Sequence, residues 1–364
     1  MYIMPAHTRS HSQVAHILPF LAAFITWLYI AASMWYAVVQ VTHTIQTGQE
    51  RETQAWSMLK PIEAEMLARL QIVRQNFLLS RVTSVAFSSS GRYLAAGSDL
   101  TGVMVVETAS NRPIRWLPGN GVYILDVAFA PGENVIVASE AEGLIRLWEI
   151  SKGTLLRLLH GHTAEVNSVS FHPQGNWLAS GGSDATVLVW EWEQGQIIRT
   201  EQMNGIVSVV AFSPNGDWLA TGDLTGQVWL LDVEQDEPVC QWFQAGGVTD
   251  LRFTPDSTHV YAAGSTAMSS WRTSDCAPTT MLETPNQEPL SKIAVSPDGR
   301  LLAGVGGAWR EPRLWVWSLP EGVLLLSGKL PARVEALRDV VFDPSGRVFL
   351  TASHDGYLRW WGQR

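Results

Sequence analysis

Cysteine is nearly absent from this chain of 364 residues, in which Cys240 and Cys276 are the only two. No metal-ligand spacing involves them, and they are read as two unpaired thiols that leave the redox compartment open. Charge is also scarce, at 16% of residues with a formal net of −9, and Lys and Arg form no cluster. That balance excludes a general nucleic-acid surface. Catalytic signatures are missing too. No G-x-S-x-G nucleophile elbow occurs beyond residue 80. Gly304, Gly306 and Gly307 lack the following Lys and Ser or Thr that a phosphate loop needs. His160, His162 and His172 lie close in sequence, but no carboxylate recurs beside them at a ligand spacing. The expectation is a non-enzyme with no cofactor, no metal and no small-molecule substrate.

What the chain does have is a recurring apolar unit. Between Gly161 and Trp192, Val166, Val169 and Phe171 form one short run, and Trp177 to Ser180 and Val187 to Trp190 form two more. Turn residues at Pro173 to Gly175 and Ser183 to Ala185 separate them, as in three antiparallel strands. A sheet of this size cannot bury both faces alone, so copies of it should stack. Seven copies exist: AFSSSGRYLAAG (86 to 97), AFAPGENVIVAS (128 to 139), SFHPQGNWLASG (170 to 181), AFSPNGDWLATG (211 to 222), RFTPDSTHVYAAG (252 to 264), AVSPDGRLLAGVG (294 to 306) and VFDPSGRVFLTAS (341 to 353). They begin 41 to 47 residues apart, and a Trp follows at 148, 190, 271, 317 and 361.

On these residues the third unit resembles a WD-repeat blade, with Gly161-His162 opening it and Trp190-Glu191 in the slot of the Trp-Asp pair. The resemblance covers residues 72 to 364 and implies an all-β fold, a seven-bladed WD-repeat β-propeller. In that family a His, a Ser or Thr, an Asp and the Trp form a hydrogen-bonded set. Only the third copy fills every position, with His162, Ser180, Asp184 and Trp190. The last copy has Thr351, Asp355 and Trp361, with Arg333 near the histidine position. Its outer strand is missing after Trp361, and the family implies that an earlier segment supplies it. The apolar stretch Ile72 to Leu79 is expected to pair with Leu358 to Trp361.

The first 71 residues differ in kind. Residues 1–16 read as a tail, 17–41 as one transmembrane helix and 42–71 as a short helical linker. From Ile17 to Val41 there are 25 residues without a charge, and about 20 suffice to cross a bilayer. A cleaved signal peptide ending at Ala31-Ala32-Ser33 is the competing reading, but the apolar run is longer than a signal core. On the helix, Ala22, Thr26, Tyr29, Ser33 and Ala37 share a stripe of mostly small residues that suits packing on another membrane helix. His16 and His43 flank the helix, and whether either ligates a pigment or haem stays open. Lys and Arg are almost balanced across it, with Arg9 before and Arg51 and Lys60 after. A short tail before a first uncharged helix most often stays in the cytoplasm, which would put the propeller on the extracytoplasmic, periplasmic side. In the linker, Pro61, Glu63, Glu65 and Arg69 match a helix with complemented ends, and Ile62, Met66 and Leu70 line one face.

Three loops exceed what the repeat needs: Glu283 to Leu290, Val305 to Arg313 and Lys329 to Ala336. They carry Trp309, Arg310, Arg313 and Arg333, residue types enriched at binding hot spots. The expected function is therefore a membrane-anchored interaction scaffold, an accessory or stabilising subunit of an integral-membrane complex of bioenergetic type. The alternative is a ligand-binding or hydrolytic site in the central channel, which Asp126, Asn167, Asp250 and Asp339 would line.

Overall fold

In the computed structural model, residues 71–77, 81–235, 238–265, 267–330 and 334–362 are described, all within a compact unit spanning Met58–Arg364. The expected tail, transmembrane helix and linker lie outside the described residues, as do the Ala22 to Ala37 stripe, His16 and His43. No helix among the described residues is long and apolar enough to cross a membrane.

The described chain forms seven four-stranded antiparallel sheets. The third is Val166–Phe171, Trp177–Gly182, Thr186–Glu191 and Gln196–Gln202, here named strands a to d from the axis outward. The seventh combines Leu337–Phe342, Phe349–Ser353 and Tyr357–Gly362 with the much earlier strand Gln71–Phe77. Gln71, assigned to the linker from sequence, pairs with Gly362, and Phe77 pairs with Tyr357, so the first and last described strands share one sheet. The chain is a seven-bladed all-β propeller.

The apolar pattern accounts for the ring. Each sheet buries both faces, one against each neighbour, so the cores lie between blades. Val137, Ile145, Leu147 and Leu159 of blade two meet Val166, Val169, Leu178 and Trp190 of blade three in one buried cluster. Blades three and four repeat this with Val187 and Val189 against Val207, Val210 and Leu219. Burial of such side chains stabilises by about 1.5–3 kcal/mol each. Strand b must approach the next blade closely. A Cβ on Gly181 would come within 2.4 Å of Val207 Cγ1.

Two further sets of contacts fasten the joints. Near the axis, side chains of strand a reach the next blade's backbone. Asn167 Nδ2 donates to Val207 O at 2.8 Å, Ser208 Oγ to Val248 O at 2.6 Å and Thr249 Oγ1 to Leu290 O at 3.3 Å. At the rim, arginines of strand d reach carbonyls in the next blade's turn between strands c and d. Arg74 donates to Thr108 O at 2.9 Å, Arg115 to Ile150 O at 2.9 Å and Ser151 O at 2.6 Å, Arg157 to Glu193 O and Gln194 O, and Arg199 to Asp232 O at 2.8 Å.

The joint between blades four and five is made differently, and it corrects the reading of two unpaired thiols. Cys240, in strand d of blade four, is bonded to Cys276, in the c–d turn of blade five, with Cα atoms 5.7 Å apart. Their sequence separation of 36 hid the pairing, because the propeller turns a separation of nearly one repeat into lateral contact. Beside the bond, Trp242 stacks on Trp271 with ring centres 4.9 Å apart and donates its indole N–H to Cys276 O at 3.0 Å.

Candidate functional site

The set His162, Ser180, Asp184 and Trp190 is assembled in blade three. Asp184 contacts His162 Nδ1 at 3.0 Å, His162 Nε2 lies 2.8 Å from Ser180 Oγ, and Trp190 Nε1 donates to that same oxygen at 2.8 Å. A neutral imidazole with its proton on Nδ1 satisfies every partner: it donates to Asp184 and accepts from the Ser180 hydroxyl. Burial pushes His162 below its ordinary pKa, against the raising pull of Asp184. Burial would raise Asp184, but Thr186, the Thr163 N–H and His162 hold it below its ordinary value.

The geometry is that of a nucleophile, base and acid in line. Its chemistry is not, because Ser180 is fully buried and its oxygen is occupied by the indole of Trp190. The set ties strand b, strand c and the preceding loop together.

Blade seven reaches the same end with a residue that sequence reading missed. Trp361 Nε1 donates to Thr351 Oγ1 at 2.9 Å, and Asp355 is held by Arg359, whose Nη2 lies 2.6 Å from Oδ2. Arg333, placed near the histidine position from sequence, lies outside the described residues. Arg359 sits in strand c, so its guanidinium reaches the carboxylate from the strand rather than from the preceding loop. In blade two, Arg146 occupies the matching strand position and pairs with buried Glu140 at 2.5 Å.

The channel residues are likewise engaged in joining blades. Asp126 accepts from Ser84 at 2.9 Å, Ser168 at 3.1 Å and the N–H of Val169 at 3.0 Å, linking blades one, two and three. Asp250 accepts from Ile293 N–H at 3.0 Å and pairs with Arg252 at 3.0 Å and Lys292 at 3.5 Å. Asp339 accepts from Val85 N–H at 2.8 Å, spanning the joint between the last and first blades. Burial raises its pKa to about 6, opposed by Lys292, Arg252 and the Val85 N–H. Each carboxylate is thus used inside the ring, and no observation favours a reacting centre there.

The remaining candidates lie at the end of the propeller that carries the b–c turns. Val305 to Arg313 is not a loop but a lengthened hairpin, with Leu301–Ala308 paired to Glu311–Ser318 and Trp309 and Arg310 at its tip. Both tip residues are exposed, Trp309 by 47%. Its ring meets that of His354 in blade seven edge-on at 4.6 Å, and the Arg338 guanidinium lies 5.7 Å from its centre. Arg313 is not available in the same way: it is half-buried in strand c and pairs with Glu288 at 2.8 Å. Sequence reading also missed Arg338 and His354. Beyond them, Arg81 and Asp99 of blade one lie 3.6 Å apart. His354 is buried with an unpartnered Nδ1, and burial, Arg338 and Arg81 keep its pKa below the ordinary value.

The model of the family "WD domain, G-beta repeat" (WD40) matches residues 75–101, 111–149, 153–191, 195–232 and 325–362. The chain carries WD40 repeats. The last four of these matches run from strand d of one blade to strand c of the next, and the first stops just before strand c of blade one. The stretch between residues 232 and 325 is unmatched and holds the WD40 propeller's departures: Cys276, Tyr261 buried in blade five, Lys292 in the channel and the Trp309 hairpin. No curated protein matches the chain.

Proposed function

We propose that this WD40 propeller is a non-catalytic, membrane-anchored scaffold, an accessory or stabilising subunit of an integral-membrane complex, with the propeller on the extracytoplasmic side. The observation that carries the reading is Trp309: a half-exposed indole at a hairpin tip, braced by His354 and Arg338 on a rigid ring. Exposed aromatic and arginine side chains held in place before binding make effective anchors, because little conformational entropy is lost on association. Anchoring is supported by the uncharged run from Ile17 to Val41. The side of the membrane is supported by the Cys240–Cys276 bond, since such bonds persist chiefly in oxidising compartments.

The test is gentle detergent extraction, affinity capture of the full chain and mass spectrometry of what accompanies it. Integral-membrane subunits at near-equal stoichiometry are expected, and W309A/R310A should lose them while unfolding at the parent temperature. Recovery of the chain alone, or unchanged capture by the variant, overturns the reading.

A further inference from the structure

A cavity of different lining lies at the opposite end of the propeller. There the a–b turns of blades three and four and the c–d turn of blade four enclose about 390 Å³, a volume in the range of ligand sites. Its walls include Trp177 and Trp218 and the acidic residues Asp217, Asp232 and Glu234, and no Lys or Arg among the described residues lines it. His172 does not offset the charge, because its Nε2 faces Gly216 O at 3.1 Å and its Nδ1 accepts the Gln174 N–H at 3.3 Å, the pattern of a neutral ring.

Two of the three carboxylates, those of Asp217 and Asp232, accept from neutral donors only. Asp217 accepts from Asn215 Nδ2 at 2.6 Å, and Asp232 accepts from the Glu234 N–H at 2.8 Å and Gln235 Nε2 at 3.0 Å. No cation pairs with any of the three among the described residues, and Arg199 is turned to Glu201 and the Asp232 carbonyl. Trp177, Val233 and Glu234 also line a second cavity of about 160 Å³, whose other walls are Val189, Ile198, Phe212, Leu219 and Arg199. An acidic chamber walled by indoles thus adjoins a mixed one, with Val189, Ile198, Phe212 and Leu219 as its aliphatic and aromatic wall and Arg199 beside them.

We propose that this double cavity receives an extended segment of a partner protein in which a Lys or Arg stands beside an aliphatic side chain. The cationic head would meet Asp217, Asp232 and Glu234, and its alkyl stem would lie along the indoles. The aliphatic neighbour would enter the cleft of Ile198, Phe212 and Leu219. A basic head supplies the charge that the chamber lacks. A ligand without an apolar neighbour would leave the second cavity unused.

The site is independent of Trp309, so its test separates the two. Full-length protein in detergent is titrated into dye-labelled, end-capped hexapeptides with a central Lys-Leu or Arg-Leu, with Glu-Leu and Lys-Ser counterparts, and anisotropy is followed. The basic–aliphatic peptides are expected to bind saturably and at least tenfold more tightly than either counterpart. D217N/E234Q, both at exposed positions, should weaken them at least tenfold without changing the unfolding temperature, and W309A/R310A should leave them unchanged. Equal binding of the Glu-Leu peptide, absence of saturation, or indifference to D217N/E234Q overturns the proposal. Competition by butylammonium at the affinity of the peptide would assign the chamber to free amines and overturn the peptide reading.

Discussion

Cys240 stands opposite Leu230 in blade four where Arg199 stands opposite Val189 in blade three, so the disulfide occupies the repeat position of an arginine clamp. Arg74, Arg115, Arg157 and Arg199 each hold the next blade's c–d turn through its carbonyls, and Cys240 holds the corresponding turn covalently. One position thus serves five consecutive joints with two chemistries.

Loss of that bond should loosen the joint between blades four and five. C276S, or reduction of the parent, is expected to lower unfolding free energy by about 2–4 kcal/mol, read from urea midpoints with and without reductant. C240R/C276S should recover part of the loss, because a guanidinium at residue 240 can reach the turn carbonyls as Arg199 does. No recovery would mean that the position alone does not make the clamp.

Arg359 and Asp355 are nearly buried together, with 5% and 11% of their side chains exposed. Removing the cation alone leaves an uncompensated carboxylate, so R359A should cost about 3–5 kcal/mol. R359M/D355N removes both charges and should cost less than R359A. Equal losses in denaturant unfolding would show that the pair contributes through packing rather than charge.

His162 titrates against stability in a definite direction. Its folded pKa lies below the ordinary 6.5, so the unfolded chain takes up the proton first as pH falls. The stabilisation is present above that value and is lost as pH falls through it towards the lower folded pKa. Unfolding free energies of the parent and H162Q, measured from pH 7.5 to 5, should therefore converge on acidification, and a constant difference would contradict the assignment.

Asp339 works in the opposite sense. With a folded pKa of about 6 against an ordinary 3.8, the native state holds a proton that the unfolded chain has released, so stability falls as pH rises from about 4 to 6. D339N keeps an acceptor for the Val85 N–H and removes the titration. It should gain on the parent across that window and hold the gain above it, and a flat difference would place the titration elsewhere.

Much of the site region was legible in the residues themselves. His162, Ser180, Asp184 and Trp190 fall at fixed offsets within one repeat, and local hairpins bring them together whatever the rest of the ring does. Trp309 and Arg310 were legible as an excess over the repeat length, although the excess proved to be longer strands rather than a loop. Arg74, Arg115, Arg157 and Arg199 recur at intervals of 41, 42 and 42 and could have been found as a repeat signal. Their partners could not, because each lies in the following blade.

The sequence by itself determined the blade: alternating apolar strands, turn residues and, in five of the seven copies, a tryptophan in the third strand's slot specify a sheet that must bury both faces, and seven copies specify a ring. What stands across each joint was decided only by tertiary structure. Closure puts Cys240 beside Cys276, Trp309 on His354, Asp339 on Val85 and Trp177 across a cavity from Asp232. The physical reason is that strand pairing is local and periodic, whereas lateral packing joins residues one repeat or a whole circuit apart, a separation that leaves no mark in local pattern.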